Sequence, residues 1–240
     1  MRINNCMLSG EIQGEIKLRE TSKGVPVATV LVSTNQETRT GNVRKVKFRV
    51  TLWRDLAEYA YEHYRDGDYV LIDGLLKCNY FKDGEKRRRK VVEIVARNII
   101  KLVPEEDICI NRCYLAGEVT MRPELRQTKN DEPMLTMILA GEEVDKKNRE
   151  QFKVVAWNGT ANDIYSRFDK DDRVVVMGRL SCNFWTDENG SPKTSVVISA
   201  DEVVPAIEKE EPLEQATESC APKEESTYIE HDALLFDDAE

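Results

Sequence analysis

An internal repeat constrains this chain more than any other feature of its sequence. Residues 3–12 read INNCMLSGEI, and residues 110–119 read INRCYLAGEV, an offset of 107 positions. Further on, LLKCNYF at 75–81 matches RLSCNFW at 179–185 at an offset of 104, so the second copy is three residues shorter in between. Solenoid repeats have periods of about 20–50 residues, whereas each copy here is the size of a small domain. The sequence therefore predicts two related domains in tandem.

Apolar and polar residues alternate along most of each copy. In 45–53, KVKFRVTLW, every second residue from the valine onward is apolar up to the leucine, which is typical of a β-strand with one buried face. A helical stretch follows at 54–65, and its counterpart lies at 160–168. A strand hairpin then completes each copy. Gly74 and Gly178 interrupt the first strand of these hairpins, where a bulge or bend is expected.

Each copy thus contains three strands, a short helix and two more strands. This order matches the five-stranded Greek-key barrel called the OB-fold, and the position of the helix favours it over the alternative, a generic small β-sandwich. We predict an all-β chain of two tandem five-stranded OB-fold barrels, each with one short helix, plus a disordered acidic C-terminal tail. The predicted domains are 1–103 and 108–206, with the tail at 207–240. The short connection VPEED makes the two barrels close neighbours.

Charge is distributed unevenly along the chain. The formal net charge is −9, which at first argues against a nucleic-acid partner. However, residues 207–240 carry 12 acidic and 2 basic side chains, while 1–106 has a net charge of +5 and 107–206 of −4. The chain thus has a basic first copy, a mildly acidic second copy and an acidic tail, and such sign asymmetry is a pattern of nucleic-acid-binding proteins with interaction tails. The tail is rich in Glu, Pro, Ser and Thr, and it has too few apolar residues to offset chain entropy.

Several segments resemble the bacterial single-stranded DNA-binding protein family. The second copy opens with LAGEVTMRPELRQT, the third strand of the first copy leads into RDLAEYA, and the hairpin strands end in an aromatic residue before a turn. With the acidic tail, the likeness extends over nearly the whole chain. It implies binding and protection of single-stranded DNA without sequence specificity during replication, recombination and repair. Two barrels per chain resembles the branch of the family in which two chains supply four barrels, which implies a homodimer.

A sequence-neutral binder of single-stranded DNA needs cations for the phosphates and aromatic planes for the bases. The outward residues of the third strand and of the hairpin supply both, and the hairpin turn RRRK at 87–90 is the densest basic cluster of the chain. In the family this hairpin reaches over bound DNA. The candidate DNA-binding residues are Lys45, Lys47, Arg49, Trp53, Lys77, Asn79, Phe81, Arg87, Arg88, Arg89 and Lys90 in the first copy, and Lys153, Trp157, Asn183 and Trp185 in the second.

Because only the first copy has the basic turn, we expect the first barrel to contribute more electrostatic affinity and the second to depend more on stacking.

Each of these features also has an alternative interpretation. An outward Trp can cover a neighbouring domain, Phe81 can belong to the core if the bulge at Gly74 changes the strand parity, and the basic turn can be merely solvated. For the whole chain, the alternative is a tandem OB-fold protein-interaction or assembly module with little DNA binding of its own. A third hypothesis, an OB-fold nuclease or RNA-modifying enzyme, lacks a recognisable catalytic site.

The far end of the tail gathers apolar residues between acids. The candidate partner-binding residues are Asp232, Leu234, Leu235, Phe236, Asp237 and Asp238. The apolar side chains would fill a pocket of a replication or repair protein while the carboxylates meet its basic rim. A plain solubilising tail is the alternative.

No catalytic or metal-binding motif is recognisable in the sequence. The two histidines, His63 and His231, have no nucleophile partner or metal constellation, and the C-x3-C of Cys109 and Cys113 lacks a second pair of ligands. We therefore expect no enzymatic activity and no cofactor. No apolar run approaches the roughly 18 residues that cross a membrane, and no signal-peptide core is present. We expect a cytoplasmic, nucleoid-associated protein without a membrane partner.

Overall fold

The computed structural model describes residues 3–37, 41–82, 88–103, 109–141, 149–186 and 192–206, without the side chains of 80–82, 88–89, 185–186 and 192–193. The predicted tail at 207–240 lies outside the described residues. The first copy forms β1 (Asn4–Glu20), β2 (Pro26–Glu37), β3 (Val43–Trp53), α1 (Asp55–His63), β4 (Tyr69–Lys82) and β5 (Arg88–Lys101). The second copy forms β6 (Asn111–Val119), β7 (Glu124–Gln127), β8 (Pro133–Gly141), β9 (Gln151–Trp157), α2 (Asn158–Arg167), β10 (Arg173–Thr186) and β11 (Pro192–Pro205).

Both copies close into a barrel of antiparallel strands with one parallel pairing. In the first copy, β1 pairs with β2 and with β4, β2 pairs with β3, and β4 pairs with β5. The parallel pairing of β3 with β5 closes the barrel. The second copy repeats this plan, and β9 and β11 form its parallel pair. Since the helix follows the third strand in both copies, the predicted OB-fold is confirmed.

The first strand of each barrel has to bend in order to pair with strands on both sides. β1 bends at a register shift between Gln13 and Lys17, where Gly14 has a φ of 79°. In the second copy the strand stops after β6 and resumes as β7, which pairs with β8. Pro123 lies in this gap, and proline cannot donate a hydrogen bond to a strand ladder. The second barrel therefore builds the five-stranded plan from six strands, a division that sequence patterning did not predict.

The alternation seen in the sequence places one face of each strand in the core. Val46, Phe48 and Val50 of β3 are buried, as are Phe152 and Val154 of β9. The helices are close to their predicted spans, although α2 begins two residues before the predicted start at 160. Within the described part of the chain, neither helix has the length and apolar content needed to cross a membrane.

Both predicted bulges are present, opposite the glycines. The register shifts between Asp73 and Gly74 and between Met177 and Gly178. The extra residue lies on the partner strand in each case. Every second residue of β4 therefore stays buried on both sides of Gly74, as far as Cys78. The alternative in which the bulge turns Phe81 towards the core is therefore not supported by the backbone, although the Phe81 side chain lies outside the described part.

Pairing of β1 with β6 joins the two barrels, which confirms that they are close neighbours. Cys6 lies directly opposite Cys113, its equivalent in the repeat. Two flanking hydrogen bonds are also equivalent: the Ser9 N–H donates to the Ile110 carbonyl at 2.7 Å, and the Ala116 N–H donates to the Ile3 carbonyl at 2.8 Å. Antiparallel pairing of equivalent residues generates a local twofold axis between the copies. Burial raises the pKa of the Cys113 thiol to about 12, so this thiol on the axis is neutral at physiological pH.

The close approach at the bulges gives a stability prediction. A Cβ on Gly178 would lie 2.2 Å from the Ser199 carbonyl oxygen, whereas a Cβ on Gly159, in α2, would meet no atom within 4 Å. We expect Gly178→Ala to lower the free energy of unfolding by about 1–3 kcal/mol because the backbone of β11 has to move away. The control, Gly159→Ala in the first turn of α2, should leave it unchanged or raise it by up to about 1 kcal/mol. Urea unfolding followed by circular dichroism measures both, and a Gly178→Ala protein as stable as the parent would contradict the bulge geometry.

Candidate nucleic-acid interface

The predicted cations of the third strand lie on the outer face of the first barrel. Lys45, Lys47 and Arg49 are exposed and alternate with buried Val46 and Phe48. Residues opposite each other in an antiparallel pair point to the same side of the sheet, so the outward residues of β2 extend this face. The structure thus brings these three predicted residues together on one surface.

Trp53 lies at the end of this face and is 42% exposed. It borders two grooves. One groove is lined by Thr21, Ser22, Lys23, Val25, Trp53 and Arg54. The other is lined by Arg19, Val27, Thr29, Arg49, Thr51, Trp53, Asn79, Val91 and Glu93. The indole therefore has cationic side chains on both sides, and Arg19, Lys23 and Arg54 among them were missed from the sequence. The signal for Arg19 was its position two residues after Lys17, which places both side chains on the same exposed face of β1.

Three polar side chains form the floor of the second groove. Glu93 is buried, with only 9% of the residue exposed. Its Oε2 accepts a hydrogen bond from the Thr51 hydroxyl at 3.1 Å, and its Oε1 accepts one from the Asn79 amide nitrogen. Asn79 was predicted to contact DNA, and here it also orients a carboxylate. Glu93 and Thr51 were missed, although Glu93 is visible in the sequence as a charge inside the apolar run VVEIVA.

One predicted cation also has a partner inside its own barrel. Lys45 forms an ion pair with Glu11 at 3.8 Å. The equivalent residues of the second barrel, Arg149 and Glu118, form an ion pair at 3.1 Å and are less exposed. The pair therefore recurs at matched positions, linking the first strand to the third in the first barrel and to the residues just before the third strand in the second.

The outer face of the second barrel carries fewer cations. The repeat offsets match six basic positions of the first barrel with six residues of the second. In the first barrel these are Lys17, Arg19, Lys45, Lys47, Arg49 and Lys77, and in the second they are Glu124, Arg126, Arg149, Gln151, Lys153 and Ser181. Arg126 forms an ion pair with Glu124 at 2.7 Å. The predicted residue Lys153 is exposed.

The remaining predicted residues of the second barrel are more covered. Trp157 and Asn183 are partly buried, and the Trp185 side chain lies outside the described part. Phe184, which sequence reasoning did not select, is 43% exposed, and the Arg44 guanidinium of the first barrel lies 3.4 Å from the centre of its ring. An aromatic surface of the second barrel is thus in contact with a cation of the first.

The predicted hairpin residues are described only in part. Lys77 is exposed. The backbones of Phe81 and Arg89 pair in the β4–β5 ladder, as do those of Lys82 and Arg88, but their side chains lie outside the described part. Arg87 lies outside it altogether. The Lys90 ammonium donates a hydrogen bond to the Gln151 carbonyl oxygen of β9. Lys90 therefore bridges the two barrels beside the outer face of the second.

Contacts between the barrels run in both directions. The side-chain amide of Gln36 donates to the Ser181 hydroxyl at 2.9 Å, and its oxygen accepts from the Cys182 N–H at 3.1 Å. In the other direction, the Cys78 N–H donates to the Glu150 carboxylate at 3.2 Å. Burial raises the pKa of the Cys78 thiol, and likewise that of Cys182, to about 11. Neither thiol therefore adds negative charge to the junction at neutral pH.

Over the residues that the structure covers, no group of three or more His, Cys, Asp and Glu side chains is arranged to hold a metal ion. The six tail residues predicted to bind partners lie outside the described part of the chain: Asp232, Leu234, Leu235, Phe236, Asp237 and Asp238.

Comparisons with known proteins agree with the repeat and with the barrels. A family model described as the single-strand binding protein family matches residues 3–102 and again 110–206. A single-stranded DNA-binding protein of Deinococcus radiodurans is 26% identical over 225 residues, which cover 84% of this chain and 74% of that protein. One from Thermus aquaticus is 26% identical over 176 residues, covering 66% of this chain and 63% of the relative.

Solved structures show the same fold. The crystal structure of the wild-type single-stranded DNA binding protein from Thermus aquaticus superposes with a TM-score of 0.70 at 23% identity, covering 86% of this chain and 95% of that one. A deletion mutant of the same protein gives a TM-score of 0.71 at 21% identity, with coverages of 88% and 98%.

Proposed function

The chain belongs to the single-strand binding protein family, in a form with two OB-fold barrels, and we propose that it binds single-stranded DNA without sequence specificity. The observation that carries the proposal is Trp53, exposed at the end of the outer strand face with cations on both sides. The relatives from Deinococcus and Thermus bear the name single-stranded DNA-binding protein. The proposed role is binding and protection, not catalysis.

In the proposed mechanism, aromatic side chains stack on the bases and basic side chains attract the phosphates. Every base has a π-face, so stacking on Trp53 tolerates any sequence. Lys47, Arg49 and Arg19 attract the phosphates on either side of a stacked base. Lys90 joins the β4–β5 hairpin to the start of β9, and we propose that the DNA strand continues along β9 from the first barrel to Trp157 of the second.

The two barrels should contribute unequally. At the six matched positions of the outer faces, the first barrel has six cations and the second has three. One of those three, Arg149, forms a partly buried ion pair with Glu118. We therefore propose that the first barrel supplies most of the electrostatic affinity and that the second depends more on its aromatic residues.

Fluorescence titration of the full chain with oligo-dT tests the proposal, because stacking quenches tryptophan. We expect tight binding with strong salt dependence, since each neutralised phosphate lowers log affinity by about 0.7 per decade of salt. Trp53→Ala and Trp157→Ala should each cost about 1–3 kcal/mol at any salt concentration. Tyr61→Ala, which removes an exposed aromatic ring from α1, is the control and should leave affinity unchanged.

The salt dependence provides a separate measure of the cationic face. Lys47→Ala should lower the slope by about 0.7, whereas Lys170→Ala, an exposed lysine in the turn after α2, should leave it unchanged. Duplex DNA bound as tightly as oligo-dT would contradict the proposal. Absence of any quenching would favour the alternative, a tandem OB-fold assembly module.

We also propose that the protein acts in replication, recombination and repair, in the cytoplasm with the nucleoid, and that residues 207–240 recruit partner proteins. DNA repels this acidic segment, whose net charge is −10, so it stays available while the barrels are occupied. The segment should also compete weakly with DNA for the basic first barrel. We expect truncation after residue 206 to raise affinity for oligo-dT at low salt, with a gain that fades as salt screens the charges.

Truncation should also abolish capture of replication and repair proteins in a pull-down from cell extract. Leu235→Ala with Phe236→Ala in the full chain is the matched control, since it keeps the charge and removes the apolar tip. This variant should lose the partners without gaining DNA affinity. If the truncated chain recovers the same partners as the intact one, the tail does not recruit them.

We propose that two chains associate, so that four barrels act together. The support is the presence of two barrels per chain in a family whose two-barrel members supply four barrels from two chains. Light scattering at micromolar concentration measures the mass directly. A dimer has twice the chain mass of 27.5 kDa, and a species at the single-chain mass would refute this proposal.

A further inference from the structure

The groove beside Trp53 contains a charged group that sequence-neutral binding does not require. Glu93 is among its lining residues and is nine-tenths buried. A carboxylate repels phosphate, and burying a charge costs free energy unless hydrogen bonds compensate. Thr51 and Asn79 provide two such bonds. The arrangement therefore keeps a negative, acceptor-only group inside a surface that is otherwise cationic.

The second barrel shows that the fold does not need this group. By the repeat offset, Val197 stands in place of Glu93 and Val155 in place of Thr51, and both valines are buried. The asparagine is retained as Asn183, and the tryptophan as Trp157. The same barrel thus forms with an apolar floor. A role in folding alone does not explain why the first barrel has a polar one.

We propose that the groove is a base subsite, in which Glu93 accepts a hydrogen bond from the exocyclic amino group of a base stacked on Trp53. This rests on the proposed binding of single-stranded DNA. An ionised carboxylate has roughly four acceptor sites, so the bonds from Thr51 and Asn79 do not saturate it. Cytosine presents an amino donor at its 4-position, whereas thymine and uracil present an oxygen acceptor there. The subsite therefore favours cytosine over uracil or thymine.

The neighbouring side chains suit this role. Thr51 and Asn79 bind one carboxylate oxygen each, which fixes the plane of the acceptor. Arg19 and Arg49 line the same groove and can neutralise the phosphates that flank the base. Since only the first barrel has the acceptor, the preference is one local contribution within broadly sequence-neutral binding.

The test compares oligo-dC with oligo-dU of equal length on the full chain, at mildly alkaline pH where cytosine is unprotonated. These pyrimidines have the same ring and differ in their donor and acceptor groups. We expect oligo-dC to bind about threefold to tenfold more tightly, the effect of one net hydrogen bond. Glu93→Gln keeps the size of the side chain and should bring the affinity ratio close to one. Val197→Ala, at the matched position of the second barrel, should leave the ratio at its wild-type value.

The ratio of the affinities for oligo-dC and oligo-dU does not change when a substitution weakens the binding of both oligonucleotides equally. If Glu93→Gln does not fold by circular dichroism, Glu93→Val, which installs the residue of the second barrel, takes its place. A wild-type ratio of one or below overturns the subsite whether or not either variant folds. A Glu93 variant that keeps the wild-type preference overturns it as well. Equal binding of both oligonucleotides leaves the single-strand binding proposal intact, whereas binding of neither would refute that proposal itself.

Discussion

The antiparallel pairing of β1 with β6 is the interaction on which the arrangement of the two barrels depends. It places Cys6 opposite Cys113 and so relates the copies by a local twofold axis. Equivalent backbone positions of the two barrels are contacted across the junction by different side chains, since the Cys182 N–H donates to Gln36 and the Cys78 N–H donates to Glu150. The conserved asparagine of the repeat supports the same strands. Asn4 exchanges two hydrogen bonds with the Leu76 backbone, and Asn111 does so with Leu180, all at 2.8–2.9 Å.

Local patterning was enough to predict the fold, because alternation, the helix position and the two glycines are all short-range signals. The position of the extra residue in each bulge was not predictable, since it lies on the partner strand and depends on pairing. The same reason explains the omission of Glu93. Its meaning appears only when β3, β4 and β5 bring Thr51, Asn79 and Glu93 together. The division of the first strand of the second barrel was signalled by Pro123, which the repeat alignment concealed.

The two copies match at many buried apolar positions and differ more on their outer faces. Buried positions such as Phe48 and Phe152 match in kind, because a barrel interior tolerates little change in volume. On the outer faces, Gln151 stands at the position matching Lys47, and Ser181 at the position matching Lys77. The two copies therefore share a barrel core and a β-ladder, and the basic positions on the outer face of the first barrel are only partly matched in the second.

The local twofold axis has a consequence for any strand that occupies both barrels. A nucleic-acid chain is directional, and a twofold rotation reverses the sense of any path that it maps onto itself. A DNA strand that runs directly across the axis therefore meets the first barrel in one polarity and the second in the opposite polarity. To present the same 5′-to-3′ sense to both, it has to make a U-turn between them.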